Sequence, residues 1–495
     1  MSYHLLNLRR ASTVGIIATL AGGISTFVVF RLSIELTSLA AVGAWALIQG
    51  MFLIARISDI GTGTNITRAV AHPIKQREWP QIGRVVAAGT ILSAIPVALI
   101  GAALTPVITW YVSRQYGSLL GNESIAALSL LAFVGGLVSS IAAVVMSALE
   151  GTFRIVYKSW ATVIANLAGL AAAIPLLKVV GIPALGVQGV VVPLIQLILC
   201  GVYLARVSLG RRPTGHTPLA AMIRSLWKEN LSLSAIGLCR LSFEPATKFL
   251  LSLIAPLPFI AVFELALRVS TQMRVTVQAA AQPLLAVGAR SNGQLNSDAG
   301  SIFGDAQVRL SLVAVISGAV ALISSPVISW FGLGSFEPIF LAIFAILVVS
   351  NTVNTAGLVG YYYLVSGARL GYLLVVHLLM ALLNVLGGAV AVTLHSPITV
   401  VLSYGAAFCL GGIMSFTPLR SAIPSGMWSR QSTGIGTPAS IMAIIWLAIA
   451  MASEVVLFPK VGTGLQIAAA GGSSLLMLAL STKPLKRALG RTKEA

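Results

Sequence analysis

Charge is what this sequence has least of. Of its 495 residues only 9% are charged and 13 are acidic, whereas 57% are hydrophobic. The mean hydropathy is +0.94. Soluble domains carry roughly a quarter charged residues, so a chain this poor in charge cannot face water over its whole surface. Cysteine is also scarce: Cys200, Cys239 and Cys409 stand alone in apolar stretches, which excludes a disulfide framework or a thiolate metal set. The five histidines, His4, His72, His216, His377 and His395, form no zinc pair. No GxxxxGK[ST] is present, which excludes ATP hydrolysis by a P-loop. Gly61-Thr62-Gly63 lacks the third glycine of a dinucleotide fingerprint and follows a helix instead of a strand. No nucleophilic triad can be assembled. The chain reads as a non-enzyme with no cofactor and no metal.

What it has in abundance is apolar length. A bilayer core about 30 Å thick takes roughly 20 apolar residues as a helix. Stretches of that size run approximately 12–34, 39–57, 83–111, 125–147, 160–179, 182–205, 231–254, 259–285, 308–330, 337–359, 370–394, 397–419, 437–457 and 461–481. The seventh and eighth are interrupted by charges. The expected fold is an all-α integral membrane protein with about 14 transmembrane helices. The first stretch is long for a signal peptide and lacks a small-residue cleavage site, so it reads as an uncleaved span.

The bases orient the chain. With the N-terminus inside, 23 of the 32 Lys and Arg residues fall in cytoplasmic segments, and only Arg114, Lys178 and Lys460 in outer loops. That asymmetry places both termini in the cytoplasm. The net charge of +19 is spread over short loops facing anionic lipid, with no long basic run to grip nucleic acid. Pro213, Gly215 and Pro218 mark a basic linker. The chain then divides into a six-helix lobe (1–206), the linker (207–230), a second six-helix lobe (231–420), and two extra helices with a basic tail (421–495). Six helices is an even number, so the second lobe starts in the same orientation as the first, as a parallel repeat.

The ionisable residues inside spans carry the chemistry. They are Arg31, Arg56, Arg240, Glu244, Lys248, Glu264, Arg268 and Arg274. A charge at mid-bilayer costs roughly 2.5–3.5 kcal/mol, so each needs a partner or a wet cavity. Arg240, Glu244 and Lys248 step by four and stack on one helix face, with Pro245 kinking the helix among them. Glu264 and Arg268 repeat the spacing on the next helix. Two readings stay open: internal salt bridges that hold helices in register, or a cationic wall in a central cavity between the lobes. Six bases against two acids is a surplus of four positive charges, which suits a polyanionic cargo better than pairing alone. Secondary candidates are Glu454 and His377 as proton relays and Asn166, Gln188 and Gln196 as interhelical glue. Asn351, Asn354, Tyr361, Tyr362 and Tyr363 form an interfacial belt or a sugar platform.

The stretch Leu39 to Ala71, with Asp59-Ile60-Gly61 followed by Arg68, resembles the second-helix signature of bacterial polysaccharide exporters. These are the O-antigen and exopolysaccharide lipid flippases of the multidrug/oligosaccharidyl-lipid/polysaccharide (MOP) exporter superfamily. Phe259 to Arg290 is similar to that family's eighth helix, which ends near a proline such as Pro283. The resemblance implies two lobes around a central cavity in the bacterial inner membrane. It implies a cargo too: a polyprenyl-diphosphate-linked oligosaccharide, flipped from the inner to the outer leaflet by alternating access for surface polysaccharide biosynthesis. A polysaccharide polymerase or glycosyltransferases would be its partners. The rival reading is a cation-coupled multidrug antiporter of the same superfamily, which would want a carboxylate-lined cavity.

Overall fold

The computed structural model describes residues 2–422 apart from 60–62, 64, 68, 71–79, 153, 209–217, 242, 282–283, 285–296 and 367–368. Within the helices, the side chains of 2–12, 57–59, 80–81, 207–208, 228–234, 240–241, 279–280, 297–299, 301 and 366 are not described either. Spans 437–457 and 461–481, Glu454, Gly61, Arg68 and Pro283 lie outside the described residues.

Every described element is helical, and ten helices are long and apolar enough to cross a bilayer. In chain order they begin α1 (Ser2–Leu36) and α2 (Leu39–Phe52), followed by a 3-10 segment, Leu53–Asp59. Next come α3 (Pro80–Leu120), α4 (Asn122–Gly151), α5 (Ile155–Val180) and α6 (Pro183–Ser208). The remainder are α7 (Leu219–Leu241), α8 (Glu244–Ile254), α9 (Leu257–Ala281), α10 (Ser297–Leu333), α11 (Pro338–Ala356), α12 (Leu358–Ser366), α13 (Leu370–Thr393) and α14 (Pro397–Ala422). Runs of Leu, Ile, Val and Ala make these helices because in lipid every backbone N–H and C=O must be satisfied within the segment. The 41 residues of α3 and 37 of α10 span about 60 and 55 Å at about 1.5 Å per residue, far more than a bilayer core.

Two expectations change. The segment from Leu219 to Asn230 is helix, not linker. Leu219, Met222, Ile223 and Leu226 follow the i, i+3, i+4, i+7 spacing of an amphipathic helix, and Leu226 is buried in a core with Ile82, Val85, Leu149 and Leu204. The single helix expected over 231–254 is two. α7 stops at Leu241 and α8 starts at Glu244 with Pro245 in its first turn. Proline has no N–H to give and its fixed φ suits a helix start, so the chain breaks here instead of kinking. Arg240 and Glu244 consequently sit on different helices.

The chain forms two compact units, Met1–Ala261 and Val262–Ala495. In the first, α1 packs on α5, α4 on α3 and α6, and α8 on α2. In the second, α14 packs on α11, α12 and α13. The α11–α12 break at Gly357 is held against α14 by glycine. A Cβ on Gly357 or Gly360 would strike the carbonyls of Gly412 or Ser415, so the two backbones touch. Gln307 of α10 closes the break by donating from Nε2 to Ala356 O at 2.7 Å and Ser311 Oγ at 2.8 Å.

Candidate functional site

In the first unit a charge pair lies on α8, which packs on α2. Lys248 is fully buried, and its Nζ donates to Glu244 Oε1 at 2.6 Å. Its stem crosses Gly50 of α2, where a Cβ would stand 2.5 Å from Lys248 Cδ. Seven residues earlier on the same face, a Cβ on Gly43 would collide with the Leu257 carbonyl. At its other end α8 is held by α3: Tyr111 OH meets Ser252 Oγ at 2.9 Å, and Tyr116 OH donates to Ser252 O at 3.2 Å. Arg56 lies half-buried in the 3-10 segment beyond α2, its stem 4.0 Å from where a Cβ on Gly136 would be. Arg31 pairs with Glu35 one turn along α1. Arg240 lies on α7, and its side chain is outside the described residues.

In the second unit α9 carries Glu264, Arg268 and Arg274. Glu264 is buried and accepts from Arg268 Nε at 2.5 Å. The two pairs are mirror images: a buried base with a half-exposed acid on α8, a buried acid with a half-exposed base on α9. Arg274 differs in surroundings. Its guanidinium stands over the Phe408 ring, 5.1 Å from the centroid.

Glu35 falls just past the apolar stretch 12–34, but α1 runs on to Leu36 and places it one turn from Arg31. Counted with Glu244 and Glu264 against the six bases, it reduces the surplus from four charges to three. A further pair, Lys158 with Glu150, holds α5 to the end of α4, where Thr67 donates to Ser147 O at 3.1 Å. Phe408 and Tyr404, 134 and 130 residues beyond Arg274 in the chain, carried no local signal.

The secondary candidates resolve into packing. Tyr362 and Tyr363 are buried inside the unit, not on a lipid-facing belt. Tyr362 OH donates to Gln278 O at 3.4 Å, and Tyr363 lies edge-on to Phe303 and beneath Arg369. Asn354 Nδ2 bridges α11 to Phe408 O of α14 at 3.1 Å. Asn166 bonds its own helix, while Ser25 of α1 donates across to its carbonyl at 3.1 Å. His377 is buried, edge-on to Tyr361. No group of three metal-ligating side chains occurs among the described residues.

No family model matches this chain, and no curated protein is similar to it. Solved structures are. A MOP superfamily transporter from Pyrococcus furiosus, described as having a binding pocket of reverse polarity, is 17% identical with a TM-score of 0.62, over 85% of this chain and 96% of that one. The lipid II flippase MurJ in an inward closed conformation is 11% identical with a TM-score of 0.62, over 96% of this chain and 99% of that one. An inward-facing multidrug resistance MATE family transporter is 14% identical with a TM-score of 0.54, over 86% and 95%. The protein has the all-α membrane fold shared by MOP superfamily transporters.

Proposed function

We propose that this protein is a transporter that flips a lipid-diphosphate-linked oligosaccharide from the inner to the outer leaflet for surface polysaccharide synthesis. The observation that carries the reading is the surplus of basic side chains on helices of a MOP-type fold. Arg31, Arg56, Arg240, Lys248, Arg268 and Arg274 number six against Glu35, Glu244 and Glu264, an excess of three positive charges. Burying a charge surplus is costly unless an anionic partner compensates it, and a diphosphate is such a partner. The guanidinium fork matches phosphate oxygens two at a time. The head group would be held by these bases while the lipid tail stays in the bilayer, and rocking of the two lobes would expose the site to each side in turn.

The fold's MATE members and the buried carboxylate of Glu264 favour a second reading, a cation-coupled multidrug antiporter. One experiment separates them. A deletion strain should lose surface polysaccharide and accumulate its lipid-linked precursor. A strain that keeps its polysaccharide but becomes sensitive to cationic dyes overturns the flippase reading and installs the antiporter.

A further inference from the structure

We infer that one end of the first unit is a seat for anionic phospholipid head groups, formed by Arg154, Arg206 and Arg224 and flanked by Trp160 and Trp227. The inference is independent of the cargo proposed above. One buried core sets the level: it takes Val85 from α3, Leu149 from α4, Ala161 from α5, Leu204 from α6 and Leu226 from α7. Each arginine stands within a few residues of that core. Arg206 follows Leu204 by two, in the last turn of α6, and Arg224 precedes Leu226 by two on α7. Arg154 caps the start of α5, and its backbone N–H donates to Leu149 O at 3.0 Å. All three arginines are exposed. Three helix ends remote in the chain thus bring a base to the rim of one core.

Two observations say what covers this rim. The first is charge. Among the described side chains Glu150 is the acid beside this core, and it is paired with Lys158. The three arginines therefore leave the rim positive, and a phosphodiester is the complementary partner. The second is amphipathy. Leu226 is buried and Met222 and Ile223 pack against the same core, while Arg224 and Trp227, three residues apart and so neighbours on the helix, are both exposed. Trp227 is 53% exposed, and Trp160, next to Ala161 on α5, is 47% exposed. Indole and guanidinium at one level suit the boundary of a bilayer, where the ring sits among head groups and the base meets their phosphates. An acidic soluble protein would match the charge but would give the two indoles no apolar layer to enter. The occupant is therefore the anionic lipid of the adjoining leaflet.

The test uses the full chain in phosphatidylcholine nanodiscs and titrates in brominated phosphatidylglycerol, whose bromines quench tryptophan fluorescence. Brominated phosphatidylcholine is the zwitterionic control. Wild type should favour phosphatidylglycerol, and the preference should weaken at about 1 M NaCl, where exposed charges are screened. Arg206→Gln/Arg224→Gln should lower the affinity for phosphatidylglycerol roughly ten- to thirtyfold, at about fivefold per base. Arg114→Gln/Lys178→Gln removes as much charge beside the unit's other core, which holds Val112 and Leu177, and should leave that affinity unchanged. Trp160→Phe/Trp227→Phe should remove the salt-sensitive part of the quenching. A wild type without preference, a preference indifferent to salt, or equal losses in the two charge variants overturns the inference. So does full displacement of the lipid by inorganic phosphate at constant ionic strength, which would mark a site for free anions. Should Arg206→Gln/Arg224→Gln fail to accumulate, the tryptophan pair decides. Salt-sensitive quenching that survives without Trp160 and Trp227 places the lipid elsewhere and overturns the inference, and its loss supports it.

Discussion

Lys248 lies across the bare Cα of Gly50. Its Cδ comes to 2.5 Å of where a Cβ would be, and its Nζ to 3.4 Å. A fully buried ammonium on α8 is thereby seated in a notch that α2 opens by having no side chain. Two turns away Gly43 does the same for the Leu257 carbonyl. Together they let the start of α9 and all of α8 dock against α2 within the first unit.

Substitutions at these notches should differ by what stands in them. Gly43→Ala meets backbone that cannot move and should cost roughly 1–3 kcal/mol or more, seen as lower melting temperature and membrane abundance. Gly50→Ala meets a flexible lysine stem and should cost less. Gly201, with nothing within 4 Å, is the control. There alanine should be neutral or stabilise by about 0.5–1 kcal/mol through backbone entropy. Equal effects at all three positions would disprove the notch argument.

The mirror-image ion pairs should respond asymmetrically. Arg268→Ala removes the cation beside a buried carboxylate, and Glu244→Ala removes the anion beside a buried ammonium. Each should destabilise by roughly 3–5 kcal/mol. Glu264→Ala leaves a half-exposed base, which water can solvate, and should be milder. Abundance of the single mutants and of the Glu264→Ala/Arg268→Ala double mutant measures this. Recovery of both abundance and export in the double mutant identifies a structural pair. Normal abundance with lost export identifies a cargo contact, and Arg268→Lys should then restore export only in part.

At the α11–α12 break, Gln307→Leu takes away the donor to the Ala356 carbonyl. A buried acceptor left without its partner costs roughly 1–3 kcal/mol, so the melting temperature should fall. Gly360→Ala should be worse, because the Ser415 carbonyl occupies the space. A Gln307→Leu protein as stable as wild type would show that the break needs no such closure.

Topology is tested by reporter fusions at Gly121 and Ala495. Gly121 turns α3 into α4 with φ +79°, a conformation glycine adopts without strain. Activity outside for the first and inside for the second is expected from fourteen crossings. An external C-terminus would rule that number out.

Helix positions and the i,i+4 ion pairs were legible in the sequence because both are local. Hydropathy over some twenty residues decides whether a segment can satisfy its backbone in lipid, and a four-residue step decides which side chains share a face. Twelve expected spans have helical counterparts within a few residues at most boundaries, and Arg31, Lys248 and Arg268 each meet an acid that the spacing alone names. Local rules misjudged segments whose signals compete. Pro213, Gly215 and Pro218 suggested a linker reaching to Asn230 although an amphipathic pattern begins at Leu219. Pro245 suggested a kink where its missing N–H ends one helix and starts another.

The tertiary structure alone decided what these helices meet. That Gly50 receives Lys248, that Gln307 closes a break 49 residues away, and that Arg274 rests on Phe408 are contacts between helices remote in the chain. Apolar periodicity cannot select them. In lipid it marks which segments cross the bilayer and is silent on which faces pair, since a Leu is as well solvated by a lipid tail as by another helix. Close packing around small residues and the few polar groups that must find partners made that choice.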